Sequence, residues 1–305
     1  MTEPQLGGTY DQLLDAARWA EGKGLYGFAR SDHYYSSRQP VPDATDAFAT
    51  LAGLARDTSR IRLCVLVSPI TFRHPAVIAK TAATIDQMSG GRFDLGVGTG
   101  WMELEHEAFG LEFPPTAERF ERLVESLEYI KAAFSGESFR GVHYRFEGEA
   151  GPKPTGLRLI VGGSGPRRTP TLAGRVAGEY NTFLGHPPDI APKIAAMRAA
   201  AEEAGRDPGS IRVSVMGPVF GAVDEAGYRA MLDRQGASRG IGGKDFEARM
   251  LDQGVLVGTP DRLGEGLAAL AGIGVDHLYI QWLDLADREG LDEVWASVCG
   301  AAAGA

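Results

Sequence analysis

The chain has 305 residues, 44% hydrophobic and 23% charged, enough to bury a core without disulfide or metal staples. Its 31 basic and 40 acidic residues give a net charge of −9, the wrong sign for a nucleic-acid scaffold. The two cysteines, Cys64 and Cys299, exclude a disulfide framework, and neither a signal-peptide pattern nor a membrane span of roughly 18 apolar residues is present, so a cytoplasmic setting is expected.

Along the chain, short apolar runs alternate with longer amphipathic stretches. Residues 10–22 have apolar positions at Leu13, Leu14, Ala17 and Ala20, and Thr9 with Gln12 resembles a capping box, so a helix is predicted. Leu25–Ala29 reads as a buried strand, 44–58 as a helix, and Ile61–Val67 as a β-branched strand. Pro75 opens a helix through Met88, with His74 before it as a cap, and Gly90-Gly91 stops it. Then come a strand at 92–97, a helix at 117–134, a strand at 157–161 and a helix from Pro166 to Ala177. A strand at 179–184, a helix at 188–204 and a strand at 211–215 follow. Thr259 and Pro260 start a helix to Ala271, Asp276–Gln281 is a strand, and 291–299 a closing helix.

Sustained strand–helix alternation means parallel strands with helical crossovers, either an open doubly wound sheet or a closed (β/α)8 TIM barrel. The dinucleotide fingerprint fails: the position that would complete Gly-x-Gly-x-x-Gly is Trp101 after Gly96 and Gly98, and Arg168 after Gly163 and Gly165. The barrel is favoured, as one domain over 1–305 with insertions about 136–156 and 224–256.

In such a barrel the site lies at the C-terminal ends of the strands. Gly162-Gly163-Ser164-Gly165 leads into a helix, and its reading is either a tight turn or a phosphate cradle reinforced by Arg167 and Arg168. Asp32-His33 is either an acid/base pair or a polar strand end bonded to backbone. Glu103 and His106 have half of a carboxylate-bridged metal motif, but the second half is missing, so no metal is expected. Residues 136–156, with Phe139, His143, Tyr144 and Phe146, read as a substrate-side loop or a surface excursion. The glycine-rich 235–245 reads as a lid or an ordinary loop. Gln5, Trp101 and Trp282 are expected on the substrate side.

In chain order, Thr2-Glu-Pro-Gln5, Ser31-Asp-His-Tyr34, Thr71-Phe-Arg-His-Pro-Ala-Val-Ile78, Asp86-Gln-Met-Ser-Gly-Gly-Arg92, Gly96-Val-Gly-Thr-Gly-Trp101, Pro114-Pro115 before Glu118-Arg-Phe120, and Ile160-Val-Gly-Gly163 cover nearly the whole sequence. This ordered set resembles the bacterial luciferase-like monooxygenase superfamily, and within it the actinobacterial oxidoreductases that use the deazaflavin coenzyme F420. The resemblance implies a TIM barrel holding a flavin-like ring at its strand ends. The phosphate would sit at Gly162, Gly163, Ser164 and Gly165 with Arg167, and Arg168 and Lys153 would suit an anionic tail. It implies a non-prolyl cis peptide and bulge near Leu66-Val67, beside Ser68, with Asp32 at the ring edge, His33 toward substrate, and Gly98, Thr99 and Gly100 along the ring and tail. The sugar-phosphate dehydrogenases of that group carry a glutamate where this chain has Trp101, which argues against sugar-phosphate oxidation and reads as either a more apolar substrate wall or a packing residue.

The expected function is hydride transfer between F420 and a small organic substrate, with His33 the proton donor or orienting group. The alternatives are an FMN-dependent monooxygenase using O2 and a separate reductase, and a non-catalytic flavin-binding protein. Nucleic acid and membrane are not expected as partners; a homodimer is allowed for. The pattern contains seven strands where a barrel needs eight. The resemblance puts Thr2–Gln5 at the end of a first strand whose body is then missing. The expectation is a truncated first strand, a start codon placed too late, and unpaired edges on both neighbouring strands.

Overall fold

Local signals decide where most elements begin in the computed structural model, which describes residues 1–36 and 44–303. Thr9 and Gln12 form the reciprocal capping box and open α1 (Tyr10–Gly22). After β1 (Gly27–Arg30), α2 (Ala47–Asp57) is capped by Asp46, whose carboxylate accepts the Ala49 N–H at 2.8 Å. β2 (Arg62–Pro69) leads to α3 (Pro75–Ser89), where His74 caps as expected by accepting the Ala76 N–H at 3.1 Å. β3 (Phe93–Gly98) is followed by a short helix absent from the sequence reading, α4 (Glu103–Phe109), and by α5 (Thr116–Ser135). A hairpin of β4 (Phe139–Arg140) and β5 (Arg145–Phe146) precedes β6 (Arg158–Gly162), α6 (Arg168–Val176), β7 (Glu179–Phe183), α7 (Pro187–Glu203) and β8 (Arg212–Gly217). Then come β9 (Val219–Gly221), α8 (Glu225–Ala237), α9 (Gly243–Asp252), β10 (Leu256–Gly258), α10 (Pro260–Gly272), β11 (His277–Ile280) and α11 (Arg288–Ala303). Thr259 holds the N-cap position of α10, but its side chain makes no cap bond. None of the described helices is long and apolar enough to cross a membrane.

Seven strands pair in parallel in the order β1-β2-β3-β6-β7-β8-β11. Their two outer members are joined by Thr2, which bridges Arg30 on one side and Trp282 on the other. The Thr2 N–H donates to Ala29 O at 2.9 Å, the Ser31 N–H to Thr2 O at 3.1 Å, and the Trp282 N–H to Met1 O at 2.8 Å. At the C-terminal rim the expected unpaired edges are therefore not found: Met1 and Thr2 occupy the first strand's place there, and the sheet closes as a TIM barrel.

Strand alternation sorts the side chains into two cores. Leu63, Val65, Leu95, Val97, Val161, Val213 and Val215 face outward and pack under the helices with Leu51, Ile78, Leu123 and Ile130. Ala29, Cys64, Leu66, Ile160 and Met216 face inward. Below them, at the N-terminal end, an ionic ring fills the barrel: Arg62 lies 2.6 Å from Asp94, and Arg158 is 3.7 Å from both Asp94 and Glu179. Burial pushes the Glu179 carboxyl above its usual range, against the opposing pull of Ser214, Arg158 and Arg212. With its floor filled, the barrel can receive a ligand at its C-terminal end.

Neither excursion behaves as a loose substrate loop. The 139–146 hairpin lies on α5, where the Glu125 carboxylate accepts the N–H groups of Val142, His143 and Tyr144 at 2.7–3.1 Å. Residues 235–245 are the end of α8, a turn and the start of α9, with a core of Tyr228, Met231, Leu232 and Phe246 beneath. Gly243 stands there for close packing rather than flexibility, since a Cβ would fall 2.4 Å from Asp233 Oδ1 and 3.0 Å from its backbone nitrogen.

Candidate active site

β1 delivers Asp32 to the rim, fully buried, where its Oδ2 accepts from Ser68 Oγ at 2.7 Å and from Arg73 at 2.5 Å. Arg73 also donates to Tyr34 Oη at 2.5 Å and to Asp46, and its guanidinium lies 4.7 Å over the Phe48 ring. Burial alone would lower the Arg73 pKa, but Asp32, Tyr34 and Asp46 outweigh it, so the guanidinium is held charged. Asp32 and Ser68, both expected at the cofactor, are thus brought together. Arg73, which the sequence reading used only as part of a phrase, is what ties them to α2.

His33, next on the chain, turns the other way. Its Nδ1 lies 3.0 and 3.1 Å from the two carboxylate oxygens of Glu105 on α4, and Glu105 also accepts the Tyr34 N–H at 3.2 Å. Burial would lower the His33 pKa, but the bond and charge of Glu105, with Glu3 and Asp32 beyond, raise it above the ordinary histidine value. Glu105 lies between Glu103 and His106, the pair that the half metal motif points to, and belongs to no motif of its own. His106 is spoken for: its Nδ1 donates to Met102 O at 2.8 Å, so its Nε2 accepts from Thr71 Oγ1 at 2.7 Å. Only the fold singles Glu105 out: on α4, Glu105 and His106 face inward while Glu103, Leu104 and Glu107 are exposed.

The cis peptide and bulge sit where the resemblance put them: Leu66-Val67 is cis, and the β2–β3 register shifts between Val65 and Ser68. Leu66 points into the barrel core, and Val67 packs against that core and over Gly96, Gly98 and Gly162 of β3 and β6. A Cβ on Gly96 or Gly98 would fall 2.9 Å from a Val67 methyl, and one on Gly162 2.7 Å. Gly98 and Gly162 are buried, and Val67 fills the space their side chains would take. Thr99 and Gly100 follow, half-buried; Gly100 has φ +76°, and a Cβ there would crowd Thr71 Oγ1 at 3.0 Å.

Gly163, Ser164 and Gly165 link β6 to α6, and Thr169 backs the two glycines. Arg167 holds the N-cap position without capping the helix, so the first amides of α6 have no side-chain acceptor there, and Ser164 and Arg167 are exposed. These donors suit an anionic group. Arg168 is committed elsewhere, its guanidinium 3.9 Å over Phe120 of α5. Lys153 is removed from the site: its Nζ donates to Ala133 O at 2.9 Å, at the far end of α5.

Of the residues expected at the substrate, Trp101 stands at the rim, 69% exposed, its ring 5.7 Å from that of His33. Gln5 is buried, accepting from Ser31 Oγ at 2.9 Å and donating to Glu3 at 2.6 Å, and Glu3 also accepts from Gln281 at 2.8 Å. Trp282 is separated from this group. It shares the parity of Leu278 and Ile280 and packs with them under the helices against Val219, Leu263 and Val294. Among the described residues, no group of three or more His, Cys, Asp or Glu is placed to hold a metal.

An F420-dependent glucose-6-phosphate dehydrogenase of Nakamurella multipartita is 36% identical over 206 residues, 64% of this chain and 59% of that protein. The pyrimidine monooxygenase RutA of Cronobacter sakazakii is 32% identical over 210 residues, 63% of this chain and 60% of that protein. The chain thus spans about 60% of the length of these curated relatives. Among solved structures, an F420-dependent secondary alcohol dehydrogenase in complex with an F420-acetone adduct superposes with a TM-score of 0.79 over 96% of each chain at 18% identity. Monooxygenase RslO1 from Streptomyces bottropensis gives 0.77 over 96% of this chain and 94% of that one at 21% identity. These two likenesses concern the fold. The profile of the luciferase-like monooxygenase family matches residues 1–277, and with the barrel, the bulged β2 and the glycine-lined mouth in place, the chain belongs to that family.

Proposed function

We propose that the protein is an F420-dependent oxidoreductase that moves a hydride between the deazaflavin and a small organic substrate, with His33 as the proton donor. The observation that carries this reading is the His33–Glu105 contact at the mouth, where burial pulls the imidazole pKa down and the carboxylate more than restores it, for a net rise above the ordinary histidine value. When bound, the deazaflavin supplies a hydride-transferring carbon. The chain's part is then positioning and proton management. Gly98, Gly162 and Val67 shape the ring's seat, Asp32 with Ser68 offers polar groups at its edge, and Gly163–Gly165 with Arg167 receives the anionic part. As the substrate takes a hydride at carbon, His33 gives a proton to the atom that gains negative charge. Trp101 walls the substrate side with an indole, which suits a less polar substrate than a sugar phosphate.

Steady-state turnover with each reduced cofactor tests the reading. Binding or turnover with reduced FMN alone, and none with F420, would overturn it. The similarity to a pyrimidine monooxygenase supports a second reading, FMN-dependent oxygenation, which predicts substrate-dependent oxygen consumption. Tight cofactor binding without any substrate oxidation or reduction would point to a binding protein instead. His33→Gln is expected to lose about 10²–10⁴-fold in turnover while cofactor affinity holds.

A further inference from the structure

We propose that Glu105 is the positioning residue of this site: it grips Nδ1 of His33 from a buried seat and leaves Nε2 as the ring nitrogen that exchanges a proton with substrate. The inference rests on the role given to His33 above and adds a residue that no motif singled out.

Glu105 is 1% exposed, and its carboxylate would lose its hydration at high cost without a partner. The partners are the His33 ring at 3.0 and 3.1 Å and the Tyr34 N–H at 3.2 Å. No lysine or arginine is paired with it among the described residues. A carboxylate at Nδ1 keeps a proton on that nitrogen in both charge states of the ring. Nε2 is then a donor when the ring is charged and an acceptor when it is neutral. Among the described residues, Nε2 has no hydrogen-bond partner.

The other charged groups around His33 are committed. Glu3, from the N-terminal segment, accepts from Gln5 and Gln281, and Asp32, from the end of β1, accepts from Ser68 and Arg73. Among the charged groups of the described residues, Glu105 alone touches the imidazole, and α4 supplies it four residues beyond Trp101. Position 101 carries an indole at the rim, and the carboxylate that meets His33 Nδ1 is Glu105. In the forward step the hydride forms the new C–H bond. The freed π electron pair then takes the proton from Nε2, the ring becomes neutral with Nδ1–H kept, and solvent restores the proton.

The test is titration of the His33 ring by NMR in the full-length, cofactor-free protein with labelled histidine, the resonance being assigned by its loss in His33→Gln. Glu105→Gln is expected to lower the His33 pKa by about one unit, a tenfold change in its protonation equilibrium, and to move the matching limb of the pH–rate profile with it. A His33 that titrates in Glu105→Gln as in the unaltered protein overturns the proposal. Should Glu105→Gln fail to fold, Glu105→Asp retracts the carboxylate by one methylene: a lowered His33 pKa supports the contact and an unchanged one overturns it. Because the titration is read without cofactor, failure of the F420 assay would overturn the cofactor reading and leave this result to stand alone.

Discussion

Val67 and the glycines opposite it make a sharp stability prediction. In Gly162→Ala the new Cβ would lie 2.7 Å from one Val67 methyl, with its next neighbours, also atoms of Val67, at 3.6 and 3.7 Å. Carbon atoms pack comfortably at about 3.5–4.0 Å, so Val67 must yield by close to 1 Å. Overpacking of that kind costs about 1–3 kcal/mol, and the entropy that alanine removes from the unfolded chain returns about 0.4–1 kcal/mol. A net loss of about 1–2 kcal/mol is expected, seen as a fall of about 2–4 °C in Tm and a matching shift in the urea midpoint. Val67→Ala removes the only atoms in conflict, so the double variant Gly162→Ala/Val67→Ala should be more stable than the sum of the two single losses by about 1–2 kcal/mol. Gly96→Ala is the control. Its Cβ would also lie 2.4 Å from the backbone oxygen of Val65, which Val67→Ala leaves in place. Strict additivity at Gly162, or equal rescue at Gly96 and Gly162, would refute the claim that these glycines exist to seat Val67.

Arg73→Leu leaves buried Asp32 with Ser68 as its remaining partner and should cost about 3–5 kcal/mol in urea unfolding; a loss below about 1 kcal/mol would contradict the buried pair. The Glu21 carboxylate accepts the N–H groups of Ser59, Arg60 and Ile61 at 2.5–3.0 Å. Burial would raise its pKa, but these donors outweigh burial and hold it below the ordinary value. The stability it contributes is therefore present above the unfolded-state pKa and drains away as pH falls through the lowered folded one. Glu21→Gln should flatten this part of the acid limb of a stability–pH curve, and an unchanged limb would refute the assignment.

Periodicity and end signals carried most of the fold, because helix caps, proline starts and alternating strands are local effects. The Thr9–Gln12 box, the His74 cap and the strand starts near 61, 92, 157, 179, 211 and 276 all stand close to their expected places. Sequence also contained the glycine loop and the Asp32-His33 pair, but it could not choose between their functional and structural readings. Parity along β11 already separated Gln281 from Trp282; strand-end position alone pointed to both, and only alternation sends the tryptophan outward.

What the sequence by itself determined is the alternating βα pattern and the chemical identity of the rim residues, since these depend on neighbours a few positions apart. The tertiary structure decided which of them meet. Glu105 reaches His33 across 72 residues, Arg73 reaches Asp32 across 41, and Gly162 faces Val67 across two strands. Met1 and Thr2 close the rim by bonding to chain segments at both ends of the sequence. Contacts of that separation come from barrel closure, where strand register and shear bring distant strand ends to one mouth, and no local pattern encodes them.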